Sequence, residues 1–229
     1  MLSSRDVILV LGFAMFNGEA ASSQAAPRHG IVPLRSMAAQ GTGTWIERVW
    51  GDPAAPGVPF VFRIHNEAGF VVLPHLHPMD ENIVVVSGSW ALGMGRRFDR
   101  SALEPLELGA FGFVPKTMAH FAWAKAETVV QVHGVGPFVS TLVDSVYELT
   151  NKGVIARLSL LQPGVPTQSA RSECFALQIG TRVRGARGGG VVVGAQCSPA
   201  NRFTQYRVQR ADGVRFWAVL KDLRRSVDE

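Results

Sequence analysis

Charge is scarce in this chain. Only 18% of its 229 residues are Asp, Glu, Lys or Arg, against 47% hydrophobic. That balance excludes an intrinsically disordered protein, which has little apolar surface to bury and much charge. Long apolar runs are missing too, since no internal segment reaches the ~18 residues that a bilayer span requires. Cysteine is nearly absent: Cys174 and Cys197 are the two present, with no Cys-x-x-Cys between them. Neither lies in a Cys/His setting that would mark a nucleophile. They are either a disulfide, which an oxidising compartment permits, or two buried thiols. The glycine-rich stretch Gly185–Gly190 lacks the Gly-Lys-Ser/Thr ending of a phosphate loop and does not join a strand to a helix pattern, so it reads as a turn. Long helical periodicity is lacking from residue 44 to about 143.

Short apolar runs with turn residues between them take its place. Phe60–His65, Phe70–Leu73, Ile83–Val86 and Val129–His133 are such runs, separated by Gly, Pro, Asn and Asp. Strands at this spacing predict an antiparallel sandwich or barrel. Residues 144–171 differ. Leu142–Leu149 reads as a short helix or an extension of the last strand, and the stretch after Leu161 is rich in Pro, Gly and Ser, as a linker is. From residue 172 strand-like runs return: Thr181–Arg184, Gly190–Gly194, Gln205–Gln209 and Arg215–Leu220. Ala211-Asp-Gly213 among them is a strong hairpin turn, because Gly takes positive φ at low cost. This block predicts a small β-barrel, and its Gly-Thr-Arg-Val-Arg and Asp-Gly-Val-Arg-Phe-Trp phrases resemble SH3-like barrels.

The N-terminus reads as a secretory signal peptide over residues 1–26. The apolar run Val7–Phe16 is followed by small residues up to Ala26, with cleavage expected after Ala20 or Ala25. Asp6 beside the apolar run is atypical, and the alternative is a short apolar element packed on the barrel. On the signal reading the mature chain carries no transmembrane segment and works in a periplasm or outside the cell. The formal charge of +5 is uneven: residues 171–229 hold 11 Lys and Arg against 5 Asp and Glu, and residues 1–170 hold 12 against 13. The basic part could serve an anionic partner. Nucleic acid is not expected, since the aromatics of this block serve equally as its core and an exported protein rarely meets it.

Two segments carry chemistry. In the first, His75 and His77 are two apart, so on a strand both point to one face and can share a metal. Glu81 follows after three residues that can turn the chain back. The second offers a further imidazole, His120, from a distant strand. The first segment resembles the first motif of the cupin family, Gly, five residues, His-x-His, three residues, Glu, six residues, Gly. Its defining positions are matched by Gly69, His75, His77, Glu81 and Gly88. The second resembles the second cupin motif at Gly109, Pro115 and His120. It departs at Thr117, where the motif has Gly, and at Ala124, where it has Asn. Met94–Asp99 and His120–Phe138 also look like a group of small, uncharacterised bacterial cupins.

The resemblance implies a double-stranded β-helix, a jelly-roll barrel of six to eight strands, over residues 27–143. It implies one metal ion held by His75, His77, Glu81 and His120, with open positions for water and a small-molecule ligand or substrate. Cupin barrels commonly pair, so a homodimer is within the expectation. Imidazole and carboxylate suit Fe, Mn, Zn, Ni, Co or Cu, chosen by geometry rather than affinity. Arg63, Gln131 and His133 are candidates for pocket residues, because Arg63 with His65, and Gln131 with His133, alternate on strands. A metal with open positions supports an enzyme of dioxygenase, isomerase, decarboxylase or lyase type. The alternative is a module that binds or senses a small ligand without catalysis, its C-terminal barrel docking a partner. A third expectation is a metal that only stabilises the barrel.

Overall fold

The computed structural model describes residues 44–157 and 174–226. The expected signal peptide and the Pro/Gly/Ser-rich stretch 158–171 lie outside the described residues. The described chain is built almost wholly from β-strands, joined by turns and two short 3-10 segments.

The first part forms two five-stranded antiparallel sheets. The strands of one are β1 (Thr44–Trp50), β2 (Pro59–Asn66), β4 (Glu81–Ser87), β7 (Phe111–Val114) and β9 (Thr128–Val135), in the order β1-β2-β9-β4-β7. The other holds β3 (Val71–Leu76), β5 (Trp90–Met94), β6 (Glu104–Leu106), β8 (His120–Ala124) and β10 (Thr141–Leu142), in the order β10-β3-β8-β5-β6. Period-2 alternation supplies the core between them. Phe60, Phe62, Ile83, Val85, Val130 and Val132 from the first sheet meet Trp90, Leu92, Ala122 and Ala124 from the second. This is the jelly-roll architecture expected for the segment.

The motif glycines are explained by their backbone. Gly69 and Gly88 both have positive φ, at 88° and 83°. A Cβ on Gly69 would collide with the Trp217 carbonyl, and one on Gly88 with the Glu127 carbonyl.

The expected linker at 144–171 needs correction in its described part. Val146–Thr150 is β11 and Gly153–Arg157 is β12, an antiparallel hairpin. They join β13 (Arg182–Gly185), β14 (Gly188–Ser198), β15 (Phe203–Gln209), β16 (Arg215–Val219) and β17 (Leu223–Arg225) in a seven-stranded sheet. The physical reason lies in β11, whose Tyr147 and Leu149 are core side chains of the C-terminal sheet and whose backbone pairs with β14. The C-terminal unit therefore begins at Val146: Leu142 ends β10 of the first part, a bend follows at residues 143–144, and Val146–Leu149 is strand, not helix. Its core gathers Tyr147, Phe175, Val192, Tyr206, Val208 and Phe216 around a Cys174–Cys197 disulfide.

The two units are bonded through buried polar groups. The Val71 N–H donates to Gln205 Oε1 at 2.9 Å, and Gln205 Nε2 donates to the Val71 carbonyl at 2.9 Å. Arg207 donates twice to the Glu67 carboxylate, at 2.9 and 2.6 Å. The Trp217 N–H donates to the Ala68 carbonyl at 2.7 Å. Phe98 packs on Phe203, with ring centroids 4.8 Å apart.

Candidate metal centre

The face that β3 presents changes along its length. Val71 and Leu73 belong to a cluster with Leu142 and Val146, on the side toward the C-terminal unit, whereas Val72 packs into the barrel core. Unbroken alternation would send His75 outward with them. It does not, because the pairing with β8 slips. Val72 lies opposite Ala122 and His75 opposite His120, so three steps on β3 match two on β8. The irregularity falls at Leu73-Pro74, where proline has no N–H for the ladder. It turns His75 and His77 to the inner face, where β8 presents His120, Ala122 and Ala124. Glu81 opens β4 in the facing sheet, with Ile83 and Val85 behind it in the core.

The structure therefore gathers His75, His77 and His120, one ligand nitrogen from each lying within 4.8 Å of the others. All three imidazoles are buried, and His120 is only 1% exposed. Glu81 adjoins two of them, its Oε2 being 3.1 Å from His120 Nε2 and 3.7 Å from His77 Nε2. Neither contact has hydrogen-bond geometry. His77 Nε2, His120 Nε2 and Glu81 Oε2 are buried without a hydrogen-bond partner. Such groups are costly unless something else satisfies them.

The opposite ring nitrogens are all engaged. His75 Nδ1 lies 2.9 Å from the Leu73 carbonyl, His77 Nδ1 2.9 Å from the Val139 carbonyl, and His120 Nδ1 3.1 Å from the Met118 carbonyl. A carbonyl only accepts, so each Nδ1 carries a proton, and in the neutral ring the lone pair is then on Nε2. That is the tautomer a metal requires, held by backbone carbonyls, with Ser140 Oγ also 3.3 Å from His77 Nδ1. Burial holds His75 well below the usual imidazole pKa of 6.5, and the neighbouring His120 and His77 push the same way. Burial also lowers His77, partly offset by Glu81. Three imidazoles that present Nε2 and a neighbouring carboxylate fit a divalent transition metal.

Phe138 is a neighbour that spacing did not mark. Its ring stacks on His77 at 4.1 Å between centroids and continues to Phe60 at 5.2 Å. The ligand cluster thus has an aromatic wall, and no repeat in the sequence signals it. The two motif departures also find their places. Thr117 holds φ at 63°, the left-handed conformation that the motif glycine serves, and its N–H donates to the His77 carbonyl at 2.7 Å. Ala124 is fully buried among apolar side chains, where an Asn side chain would need a partner.

The expected pocket residues Arg63, Gln131 and His133 need correction. Arg63 lies opposite Gln131 and Val61 opposite His133, whereas Phe62 and Val132 pair on the core side. Their shared parity puts all three on the outer face of the first sheet. There Arg63 donates to Gln131 Oε1 at 3.4 Å and lies 3.6 Å from Glu47 Oε2. His133 faces the half-exposed Phe111, with ring centroids 6.3 Å apart. His65 shares that face, stacked on Trp45 at 3.9 Å and 3.1 Å from Glu47.

No protein-family model matches the chain, and no curated protein matches it. Among solved structures, an RmlC-like cupin protein from Desulfovibrio desulfuricans is similar at 21% identity. The match covers 46% of this chain and 95% of that one, with a TM-score of 0.37. KdgF from Halomonas sp. is similar at 20% identity over 40% of this chain and 76% of its own, with a TM-score of 0.32. A salicylate 1,2-dioxygenase from Pseudaminobacter salicylatoxidans is similar at 17% identity over 40% of this chain and 26% of its own, with a TM-score of 0.34.

Proposed function

We propose that the first barrel is a metal-binding cupin domain and that the protein is a metal-dependent enzyme acting on a small organic molecule. One observation carries the reading: His75, His77 and His120 converge inside the barrel with every Nδ1 bonded to a backbone carbonyl. Packing alone gives no reason to prepare three neighbouring lone pairs in this way. Glu81 completes a three-His, one-carboxylate set for one first-row divalent ion, Fe, Mn, Zn, Ni, Co or Cu. Such an ion polarises an oxygen of the substrate, activates water or binds dioxygen. The protein's part is to orient the imidazoles, to keep His75 and His77 neutral through burial, and to present an aromatic wall at Phe138.

The reaction belongs to the dioxygenase, isomerase, decarboxylase or lyase classes. The described C-terminal unit is a seven-stranded sheet, and we read its β13–β17 portion as SH3-like from its strand and turn phrases. Export to a periplasm or beyond the cell is supported by the Cys174–Cys197 disulfide, a bond that persists in oxidising surroundings.

The test is a turnover screen of the metal-loaded full chain, with Glu81→Ala and His120→Ala as controls. Turnover that requires the metal and is lost in both variants is expected. Tight ligand binding by the wild type without turnover would favour a sensing module instead.

A further inference from the structure

The seam between the two units holds two cavities that the metal centre does not use. One, of about 380 Å³, is walled by Trp123 and Arg100 of the first barrel and by Arg187, Phe216, Trp217 and Asp222 of the C-terminal unit. The next, of about 400 Å³, is bounded by Phe98 and Arg100 on one side and by Arg202, Phe203 and Lys221 on the other. Arg100 and Val219 line both, so the cavities adjoin along one groove.

The lining has a clear polarity. Arg100, Arg187, Arg202 and Lys221 face Asp222 as the one carboxylate residue among the lining side chains. None of the four cations makes an ion pair among the described residues. Arg100 is held in a particular way. Its guanidinium lies over the Trp123 ring, 4.6 Å from the centroid. Stacking occupies the face of the guanidinium and leaves its N–H edge for two oxygens of an oxyanion. Arg187 is braced from the other unit, its Nη2 donating to the Lys125 carbonyl at 2.9 Å. The floor is aromatic, and the indole Nε1 atoms of Trp123 and Trp217 are both buried without a hydrogen-bond partner.

A surface that merely repels itself for solubility would spread its cations over convex ground. Here they ring a concavity with apolar walls, where the low dielectric concentrates their field. We infer that this groove is a second ligand site, for a small organic oxyanion. Its carboxylate or phosphate group is received by the Arg100 edge with Arg187, and its apolar body lies on the Trp123, Trp217 and Phe216 floor. Because both units contribute walls, the site exists only in the docked arrangement.

Benzoate and phenyl phosphate are the probes, with benzyl alcohol as the neutral counterpart. Each is titrated calorimetrically into the full chain, before and after the metal is removed by chelation and dialysis. Saturable binding of one equivalent of either anion is expected, unaltered by metal removal. Which anion binds tells carboxylate from phosphate as the natural group. Arg100→Ala should weaken it about tenfold or more, since a charged hydrogen-bonded pair is lost. Lys152→Ala, an exposed cation outside both cavities, should leave it unchanged. Failure of both anions to saturate would overturn the inference. So would equal binding of benzyl alcohol, indifference to Arg100→Ala, or loss of binding on chelation, which would assign the anion to the metal centre.

Discussion

The two units treat buried polarity in opposite ways. In the C-terminal unit Gln205 is 1% exposed, and its amide is spent on the Val71 backbone and on Gln196 Oε1 at 2.6 Å. Tyr147 Oη and Trp217 Nε1 are the exceptions there, each buried with no hydrogen-bond partner. In the first barrel three facing atoms, on His77, His120 and Glu81, are left without hydrogen bonds in one small space. Satisfied buried groups specify an arrangement, whereas a convergent unsatisfied set prepares one for something else. The C-terminal unit thereby acts on the centre from behind: Gln205 grips β3 at Val71, on the strand that leads to His75 and His77.

Substitutions can break this contrast, in descending order of effect. Replacing both Cys174 and Cys197 by Ser releases a crosslink spanning 23 residues. It should lower stability in chemical denaturation by about 3 kcal/mol. Gln205→Leu leaves the Val71 N–H and carbonyl without their bonds, and should cost about 2 kcal/mol. If the grip on β3 matters, metal affinity falls in that variant too, and Gln205→Glu, which keeps one acceptor for the Val71 N–H, restores part of it. Unchanged affinity would confine Gln205 to a structural role.

Acid should separate the units as well. His75 and His77 are held below 6.5 when folded, whereas in the unfolded chain they titrate near that value. Above pH 6.5 both states are neutral and nothing changes. Below it the unfolded chain takes up protons that the folded chain refuses, so metal-free stability falls as pH falls. His75→Leu should flatten that slope in denaturation curves measured between pH 7 and 5. The smallest effect belongs to Thr117, a β-branched residue at φ 63°. Thr117→Gly should stabilise by about 1 kcal/mol, read as a rise in Tm.

Much of this was legible in the sequence, for identifiable reasons. The histidines and Glu81 were found by spacing, and the strands by alternation and turn residues. The turn of His75 inward was not, because strict alternation from Val71 and Leu73 points it outward, and only Pro74 hints at the slip. Arg63, Gln131 and His133 show the complementary failure. Period 2 says that residues share a face but not which face is inner, and here Phe62 and Val132 hold the inside. The reach of Gln205 across 134 residues to Val71 leaves no local trace. Strand was one of two readings for Leu142–Leu149, but the pairing of β11 with β14, across a long intervening segment, leaves no local trace either.

The most direct test is elemental analysis of the full chain, made without a histidine tag and reconstituted with first-row divalent metals. About one ion per chain is expected in the wild type, and none in His75→Ala or His120→Ala that remains folded. A folded wild-type chain that stays empty after reconstitution would contradict the metal centre itself.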